Sequence, residues 1–383
     1  MKILRDIRTA GRHGITTGKI KVDYREMKKR ALNVSKISVK GIEFLLKKNG
    51  VNVVSGRGEI ASLNAVQAGN ETLETENIVI ATGSVPIQIP GVPYGGRVLS
   101  SETLLELDDL PESLIVVGGG YVGVECASIF STLGAKVTII EMMDRLLPGM
   151  DAETVSVLQR SLSRDGIDIR TGAKVEKLTE KGVIVSGEEL AAEMLLIAVG
   201  RKPNFDAEEM RKNRINCGRG IITNETMRTN AGSIYAVGDV VGKGMLAHVA
   251  SHEGIVAAEN IMGMKKTMDY SCIPSCVFSF PEIAAVGSSD ASLKIGKFPF
   301  AASGKARALG ETDGFVKVFT NDGILVGATI IGAHASDLIG EACVAIRNRT
   351  RLEDIVGTVH PHPVLSEAFA DACLDALGRS LSK

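Results

Sequence analysis

Residues 114–141 read LIVVGGGYVGVECASIFSTLGAKVTIIE, and this stretch decides the fold. The apolar, β-branched run Leu114–Val117 predicts a short buried strand, a glycine-rich segment follows at once, and Val124–Leu133 predicts a helix. A second apolar strand is expected over Lys136–Ile140 and ends at Glu141. A strand, a glycine turn, a helix and another strand in this order are typical of a βαβ unit in a parallel sheet.

The spacing of the glycines matches a dinucleotide-binding fingerprint. Gly118 allows the tight turn, Gly120 lets a pyrophosphate approach the backbone, and Gly123 lets helix and strand pack closely. The helix N-terminus would then offer N–H groups to the phosphates. The candidate nucleotide contacts in this loop are Gly118, Gly119, Gly120, Tyr121, Val122 and Gly123. The alternative is a βαβ unit that binds no nucleotide and has a glycine-rich turn for packing alone.

Glu141 ends the second strand about 20 residues after the fingerprint, where an acidic residue binds the ribose of a dinucleotide. A carboxylate accepts hydrogen bonds from both ribose hydroxyls, but it repels a 2′-phosphate. The sequence therefore predicts NAD(H) rather than NADP(H) as the cofactor.

The composition is that of an ordinary α/β protein. The 383 residues are too many for one core and predict two or three domains. A net charge of −1, 4% aromatic residues and no Trp argue against nucleic-acid binding. No apolar run approaches the ~20 residues of a membrane span, so we expect a cytoplasmic protein that does not enter the membrane.

Residues 1–50 differ from the rest, with 14 Lys or Arg against four Asp or Glu. Such a segment can bind phosphates, but Tyr24–Lys48 also reads as an amphipathic helix whose charges face water, which is the interpretation we favour.

Shorter segments extend the pattern on both sides of the fingerprint. Cys272 and Cys276 lie four residues apart in an extended context, too far apart for a disulfide, and no metal site is expected. Strands are predicted over Val51–Val54, Glu76–Ala81, Ile167–Arg170, Leu195–Val199, Ile234–Val237, Phe315–Thr320 and Ile324–Ile331, and helices over Ala152–Asp165, Ala247–Met262 and Ser336–Arg347. The last two strands alternate like antiparallel strands around the turn Asn321-Asp322-Gly323, so βα units are expected to give way to antiparallel hairpins there.

Several further segments, in order, resemble the flavin-dependent pyridine-nucleotide disulfide oxidoreductases, and among them the dihydrolipoamide dehydrogenases. They read IVIATGSVP, VVGGGYVGVE, AVGRKPN, YAVGDV, MLAHVASHEG, GKFPFAASGKA, GETDGFVKV and HPHPVLSEA. The resemblance implies an α/β fold with two Rossmann-like nucleotide-binding domains, the first incomplete, and a C-terminal α+β dimerisation domain. The implied bounds are 1–100 for a partial FAD-binding domain, 101–218 for the NAD-binding domain, 219–270 for the second FAD-binding segment and 271–383 for the interface domain.

The resemblance also implies cofactor contacts outside the fingerprint. Val175 and Gly200 become candidate NAD contacts. The alternative for Asp239 is a purely structural Asp at a helix N-terminus, although a carboxylate at a strand end can also bind a ribityl or ribose hydroxyl. The candidate FAD contacts are Gly58, Thr82, Gly83, Ser84, Gly238, Asp239, Met245, Leu246, Ala247 and His248.

The C-terminal segment His360–Glu367 resembles the catalytic signature of the family. In that pattern His362 is the general acid–base and Glu367 orients it, and imidazole titrates near pH 7 as such a role requires. Taken alone, an exposed His near a Glu could be structural. The family pattern implies an obligate homodimer, in which His362 serves the partner subunit's flavin. It also implies a lipoyl domain of a 2-oxo-acid dehydrogenase or glycine cleavage complex as partner.

The sequence departs from the family at its start. It contains neither an N-terminal GxGxxG for FAD nor the C-x₄-C redox pair with its following Lys, and Ser288–Ile295 is shorter than in relatives. Glu125, another cofactor-site candidate, would face that Lys. We expect open strand edges and an exposed apolar face in the FAD-binding domain.

Three functions remain open. The first is a dihydrolipoamide dehydrogenase, with electrons passing through FAD to NAD⁺, that is incomplete in this chain. The second is an NADH-dependent flavin reductase or diaphorase that needs no disulfide. The third is a non-catalytic NAD-binding dimerisation module.

Overall fold

The structure is a computed structural model that describes residues 1–380. Over these residues the helices are α1 (Lys2–Thr9), α2 (Tyr24–Lys48), α3 (Ser101–Leu104), α4 (Tyr121–Leu133), α5 (Ala152–Arg164), α6 (Ala207–Lys212), α7 (Ala247–Ile261), α8 (Gly304–Leu309), α9 (Ala335–Arg347), α10 (Leu352–Gly357) and α11 (Glu367–Ala376).

Within residues 1–380 the strands are short and fall into six sheets. They are β1 (Gly58–Ser62), β2 (Ala65–Ala68), β3 (Glu71–Glu74), β4 (Ile78–Ile80), β5 (Ser84–Pro86), β6 (Val98–Leu99), β7 (Ser113–Val117), β8 (Lys136–Ile140), β9 (Asp168–Arg170), β10 (Val175–Leu178), β11 (Gly182–Val185), β12 (Glu188–Ala191), β13 (Met194–Ile197), β14 (Arg201–Pro203), β15 (Ile234–Ala236), β16 (Ser275–Val277), β17 (Glu282–Gly287), β18 (Lys294–Pro299), β19 (Phe315–Asn321) and β20 (Ile324–Gly332).

The chain divides into two compact units, which are described separately. The larger unit comprises Met1–Lys21, Gln88–Gly200 and the chain from Tyr270 onward, and the smaller unit comprises Val22–Ile87 and Arg201–Asp269. No helix in the described part of the chain is both long enough and apolar enough to cross a membrane.

The fingerprint strand lies at the centre of a five-stranded parallel sheet in the larger unit. The strand order is β6-β13-β7-β8-β9, and α4 connects β7 to β8. Val116, Val124 and Phe130 are fully buried between this sheet and α4. The predicted βαβ unit is therefore confirmed. Its first strand is buried on both faces, which is why it is rich in β-branched residues.

The C-terminal sheet of the larger unit is antiparallel, with the order β16-β17-β20-β19-β18. The hairpin between β19 and β20 turns at Asp322 and Gly323, both at positive φ (50° and 77°), as a two-residue hairpin turn requires. Helices α9 and α11 cover the sheet and bury Phe369 against it. The predicted change from βα units to antiparallel hairpins is confirmed.

The smaller unit contains a two-stranded parallel sheet of β4 and β15 and the three-stranded antiparallel sheet β1-β2-β3. In the described part of the chain β4 has no strand partner other than β15, and Val79 on β4 is 43% exposed. Helix α2 spans the predicted residues but buries none of them. The expected open edge and exposed apolar face are therefore confirmed.

One strand prediction in the smaller unit is wrong. Val51–Val54 has no strand conformation, and Val51, Val53 and Val54 are all exposed. A strand exists only where a neighbour completes its hydrogen-bond ladder, and the described residues supply no such neighbour for this apolar run.

Candidate functional site

The glycines of the fingerprint are held where side chains would collide. A methyl group on Gly118, which has φ +110°, would lie 2.4 Å from the carbonyl oxygen of Ala198 on the adjacent chain segment. A methyl group on Gly123 would lie 1.9 Å from the carbonyl oxygen of Gly118, and one on Gly119 would lie 2.5 Å from Leu146. The turn and the helix–strand contact therefore both require glycine.

Gly120 is different, because its missing side chain leaves open space. A methyl group there would meet no atom within 4 Å, and the residue has an extended backbone at the N-terminus of α4. No side chain caps this helix, and the first amides of an α-helix lack acceptors within the helix. Together, the open face of Gly120 and the helix N-terminus form a cradle that fits a pyrophosphate.

Glu141 is buried, with 8% of its surface exposed, against the glycine turn. Its carboxylate accepts the Gly119 N–H at 2.6 Å through Oε2 and the Met143 N–H at 2.7 Å through Oε1. Each oxygen keeps a second lone pair for another donor, such as a ribose hydroxyl.

Val175 and Gly200 each lie two residues from a residue that contacts the fingerprint turn or Glu141. Val175 begins β10, two residues after Ala173, whose N–H donates to the Glu141 carbonyl oxygen at 2.9 Å. Gly200, at φ +118°, lies two residues beyond Ala198, which packs against Gly118.

Glu125 points toward the C-terminal sheet. It lies on α4, and its Oε1 accepts the Phe278 N–H at 2.9 Å. Burial raises the pKa of the Glu125 carboxyl, and the Phe278 hydrogen bond offsets only part of that shift. Tyr121 and Val122, which also belong to the fingerprint, lie in the first turn of the same helix.

A polar cluster joins two strand ends in the smaller unit. Ser84 Oγ donates to Asp239 Oδ2 at 2.6 Å, and Arg201 Nε donates to Ser84 Oγ at 2.8 Å. Thr82 and Asn204 exchange two hydrogen bonds next to them, and Gly83 adopts φ +70° with open space at its side-chain position. The carboxyl ends of the parallel strands β4 and β15 thus bring the predicted FAD contacts together. Hydroxyl, guanidinium and carboxylate groups there fit the polar parts of FAD.

Glu253 is a residue of this cluster that sequence reasoning missed. It is fully buried on α7, and its Oε2 accepts the Gly238 N–H at 2.5 Å. The sequence did contain a signal, because Glu253 lies between Val249 and Val256 on the apolar face of the predicted helix. An acidic residue is buried at such a position only when hydrogen-bond donors or charges pair with it.

The remaining FAD candidates lie on β1 and at the start of α7, the helix that carries Glu253. Gly58 begins β1 and is exposed, and the segment 245–248 leads into the first turn of α7.

His362 and Glu367 are paired as expected. His362 Nδ1 lies 2.8 Å from Glu367 Oε1, and Glu367 Oε2 accepts the Val364 N–H at 2.9 Å. These two contacts, first the Val364 hydrogen bond and then the His362 hydrogen bond, lower the pKa of the Glu367 carboxyl. Because an ionised carboxylate only accepts, it fixes a hydrogen on Nδ1 and leaves Nε2 of the 80% exposed imidazole for other partners.

Sequence comparisons agree with this arrangement. Residues 8–254 match the pyridine nucleotide-disulphide oxidoreductase family, and residues 273–373 match the dimerisation domain of that family. The chain is 40% identical over 397 residues to the dihydrolipoyl dehydrogenase of Chlamydia pneumoniae, covering 99% of this chain and 86% of that protein. It is also 40% identical over 389 residues to a dihydrolipoyl dehydrogenase of Bacillus subtilis, covering 95% and 83%.

Solved structures show the same fold. LpdA from Mycobacterium tuberculosis matches with a TM-score of 0.89 and 27% identity over 97% of this chain and 86% of that chain. The HOCl-induced flavoprotein disulfide reductase RclA from Escherichia coli, as its Cu(II) complex, matches with a TM-score of 0.85 and 26% identity over 97% and 88%. The chain therefore belongs to the pyridine nucleotide-disulphide oxidoreductase family, as an FAD- and NAD-dependent oxidoreductase of the dihydrolipoyl dehydrogenase type.

Proposed function

We propose that this chain contributes the NAD-binding and acid–base parts of a dihydrolipoamide:NAD⁺ oxidoreductase. The observation that carries the proposal is the His362–Glu367 pair, at 2.8 Å, in a chain with a complete dinucleotide fingerprint. In this reaction a dithiol becomes a disulfide, NAD⁺ becomes NADH, and one proton is released. When bound, FAD carries the two electrons from the dithiol to the nicotinamide.

The larger unit would bind NAD through the fingerprint. The open face of Gly120 and the N-terminus of α4 would accept the pyrophosphate, and Glu141 would bind the adenine ribose. The same carboxylate would repel the 2′-phosphate of NADPH. The smaller unit would hold FAD at the Ser84–Asp239 cluster.

His362 would move the proton that thiol chemistry requires. With a hydrogen held on Nδ1 by Glu367, its exposed Nε2 can accept a proton from a thiol and return it. By resemblance, we propose that the chain acts as a homodimer in which His362 serves the partner subunit's flavin, with a lipoyl domain as substrate carrier. The domain bounds and the cytoplasmic location given above remain predictions.

A second candidate is an NADH-dependent flavin reductase, or diaphorase. The observations that favour it are the NAD fingerprint at the N-terminus of α4 and the Ser84–Asp239 cluster, because this reaction needs only sites for the two cofactors. Electrons would then pass from NADH through FAD to an external acceptor, without a protein disulfide.

The first test is the absorbance of the purified chain from 350 to 550 nm, before and after addition of FAD. Stoichiometric flavin supports an enzyme, whereas no flavin even with excess FAD would leave only an NAD-binding module. If flavin binds, oxidation of NADH with ferricyanide measures the diaphorase reaction. Oxidation of dihydrolipoamide with NAD⁺ measures the full reaction, which we expect only when an N-terminal segment that carries the redox Cys pair is supplied.

The variant His362→Gln then assigns the acid–base role. We expect it to lower thiol-dependent turnover by 10²-fold or more while it leaves ferricyanide reduction unchanged. His334→Gln is the matched control, because His334 also pairs with a carboxylate, Asp337, at 3.0 Å on the same C-terminal region. Equal loss in both variants would contradict the role of His362.

A further inference from the structure

A second histidine–carboxylate pair lies beside the first. His360 Nε2 is 2.8 Å from Glu341 Oε1, and His360 Nδ1 is 2.9 Å from the carbonyl oxygen of Thr358. Glu341 lies on α9, whereas His360 lies in the loop that leads from α10 to α11. The side chain of His360 is only 12% exposed, in contrast to that of His362.

These contacts favour the doubly protonated form of His360. A carbonyl oxygen can only accept a hydrogen bond, and an ionised carboxylate can also only accept. Both contacts are hydrogen bonds only when each ring nitrogen carries hydrogen, so the geometry fits an imidazolium beside an ionised Glu341. Burial lowers the pKa of His360, but the Glu341 hydrogen bond and charge outweigh it, so the pKa is raised.

Other charges around His360 have the same sign as Glu341. Glu367 and Asp371, both on α11, interact with His360 electrostatically. An imidazolium at this position thus faces three carboxylates from two helices, and all three favour its charged form.

The loop that carries His362 is fixed at both ends. His360 ties its first half to α9, and the Val364 N–H ties its second half to Glu367 on α11. His362 itself is exposed and makes one hydrogen bond, so its own packing does little to hold it. If its ring is to keep one orientation, the backbone on both sides must be held.

We propose that the Glu341–His360 ion pair is a positioning device that holds the 358–364 loop so that His362 keeps its Nδ1–H on Glu367 and presents Nε2 outward. The proposal rests on the acid–base role of His362 proposed above. His360 and Glu341 are positioning residues, since they act through His362.

Histidine-selective ¹⁵N NMR of the full chain tests this directly. The signals of the two residues are assigned with His360→Gln and His362→Gln. We expect wild-type His360 to be doubly protonated at pH 7 and neutral His362 to be the Nδ1–H tautomer. Glu341→Gln keeps an acceptor but removes the charge, so it should lower the titration midpoint of His360. It should also turn the single tautomer of His362 into a mixture of both.

Asp337→Asn is the matched control, because it likewise removes only the charge of a carboxylate on α9, that of the His334–Asp337 pair, and it should leave both His360 and His362 unchanged. The proposal is overturned if wild-type His360 is neutral at pH 7, or if Glu341→Gln leaves the tautomer of His362 as in the wild type. The measurement needs neither flavin nor turnover. Failure of FAD binding would therefore count against the proposed function alone.

Discussion

The buried Glu141 carboxylate accepts the backbone N–H of Gly119 at 2.6 Å, so the acid that should select the cofactor is part of the glycine turn itself. Its second oxygen accepts the Met143 N–H at 2.7 Å. The position of this carboxylate is therefore set by the backbone, independently of any nucleotide. Such preorganisation reduces the cost of ordering the side chain when a ribose binds.

We expect Glu141→Gln to weaken NADH binding by about tenfold or more, since hydrogen bonds to a charged group contribute about 1.5–3 kcal/mol. The amide also has only one acceptor oxygen, so either the Gly119 N–H or the Met143 N–H loses its partner. NADPH binding should improve relative to NADH, because the negative charge is gone. Fluorescence titration of both nucleotides measures the two affinities. Glu189→Gln, an exposed change on β12, should alter neither, and an unchanged preference in Glu141→Gln would contradict the selectivity argument.

Two single-methyl substitutions in the fingerprint should have opposite effects. Gly123→Ala places a methyl group 1.9 Å from the Gly118 carbonyl oxygen, so it should lower the melting temperature by several degrees. Gly120→Ala meets no atom within 4 Å and has an ordinary φ of −77°, so the fold should tolerate it. The same methyl group would occupy the pyrophosphate cradle, and NADH affinity should fall.

Thermal unfolding and NADH titration of both variants separate the two roles. If Gly120→Ala binds NADH like the wild type, the dinucleotide does not lie in this cradle.

The sequence predicted the elements whose pattern is local. The strand and helix of the fingerprint follow from apolar periodicity and glycine spacing, and the turn at Asp322-Gly323 follows from the positive φ that these residues tolerate. The His362–Glu367 pairing came from the family resemblance, because spacing alone does not distinguish a catalytic pair from a surface contact.

The missed features depend on tertiary context. Lys317 lies within FVKVFTN, and a charged side chain is expected to face water. Every residue of β19 except the last is nevertheless buried, and Lys317 is 4% exposed. Val51–Val54 has strand composition but no partner. The strand β1 (Gly58–Ser62) is largely exposed and has no alternating apolar pattern, so the sequence did not predict a strand there. The strand propensity of a segment does not indicate which other segments it will pair with or pack against in the fold.

Lys317→Ala should destabilise the larger unit by about 3–5 kcal/mol, because it leaves a carboxylate without its buried partner. Lys317 Nζ lies 2.9 Å from Asp151 Oδ2 and 2.7 Å from Glu153 Oε2, which links α5 to the C-terminal sheet. Lys297→Ala is the matched control. Lys297 also pairs with Glu153, but its side chain is 36% exposed, so the expected cost is about 0–1 kcal/mol. Chemical denaturation measures both, and equal costs would contradict the importance of burial.

The same ion pairs predict how the stability of the larger unit depends on pH. Burial raises the pKa of Asp151 and Glu153, but the hydrogen bonds from Thr154 to Asp151 and from the lysines outweigh it, so both pKa values are lowered from 3.8 and 4.5. A lowered carboxyl pKa stabilises the fold fully above the unfolded value, and this stabilisation is lost as the pH falls through the folded value. The difference between the wild type and Lys317→Ala should therefore stay constant from pH 7 to pH 5 and shrink below pH 4.5. If this difference in stability already declines between pH 7 and pH 5, groups other than Asp151 and Glu153 cause the pH dependence.

Substitutions on helix α2 test whether its apolar face is open to solvent in this chain. Ile37 and Phe44 are 62% and 64% exposed, and no residue of the 25-residue helix is buried. Ile37→Lys and Phe44→Lys should therefore change stability by no more than about 0.5 kcal/mol, while they reduce the fluorescence of a bound hydrophobic dye. Ile339→Lys, on the buried face of α9, is the control and should unfold the larger unit. If Ile37→Lys destabilises the chain as Ile339→Lys does, another surface covers this face of α2 in solution.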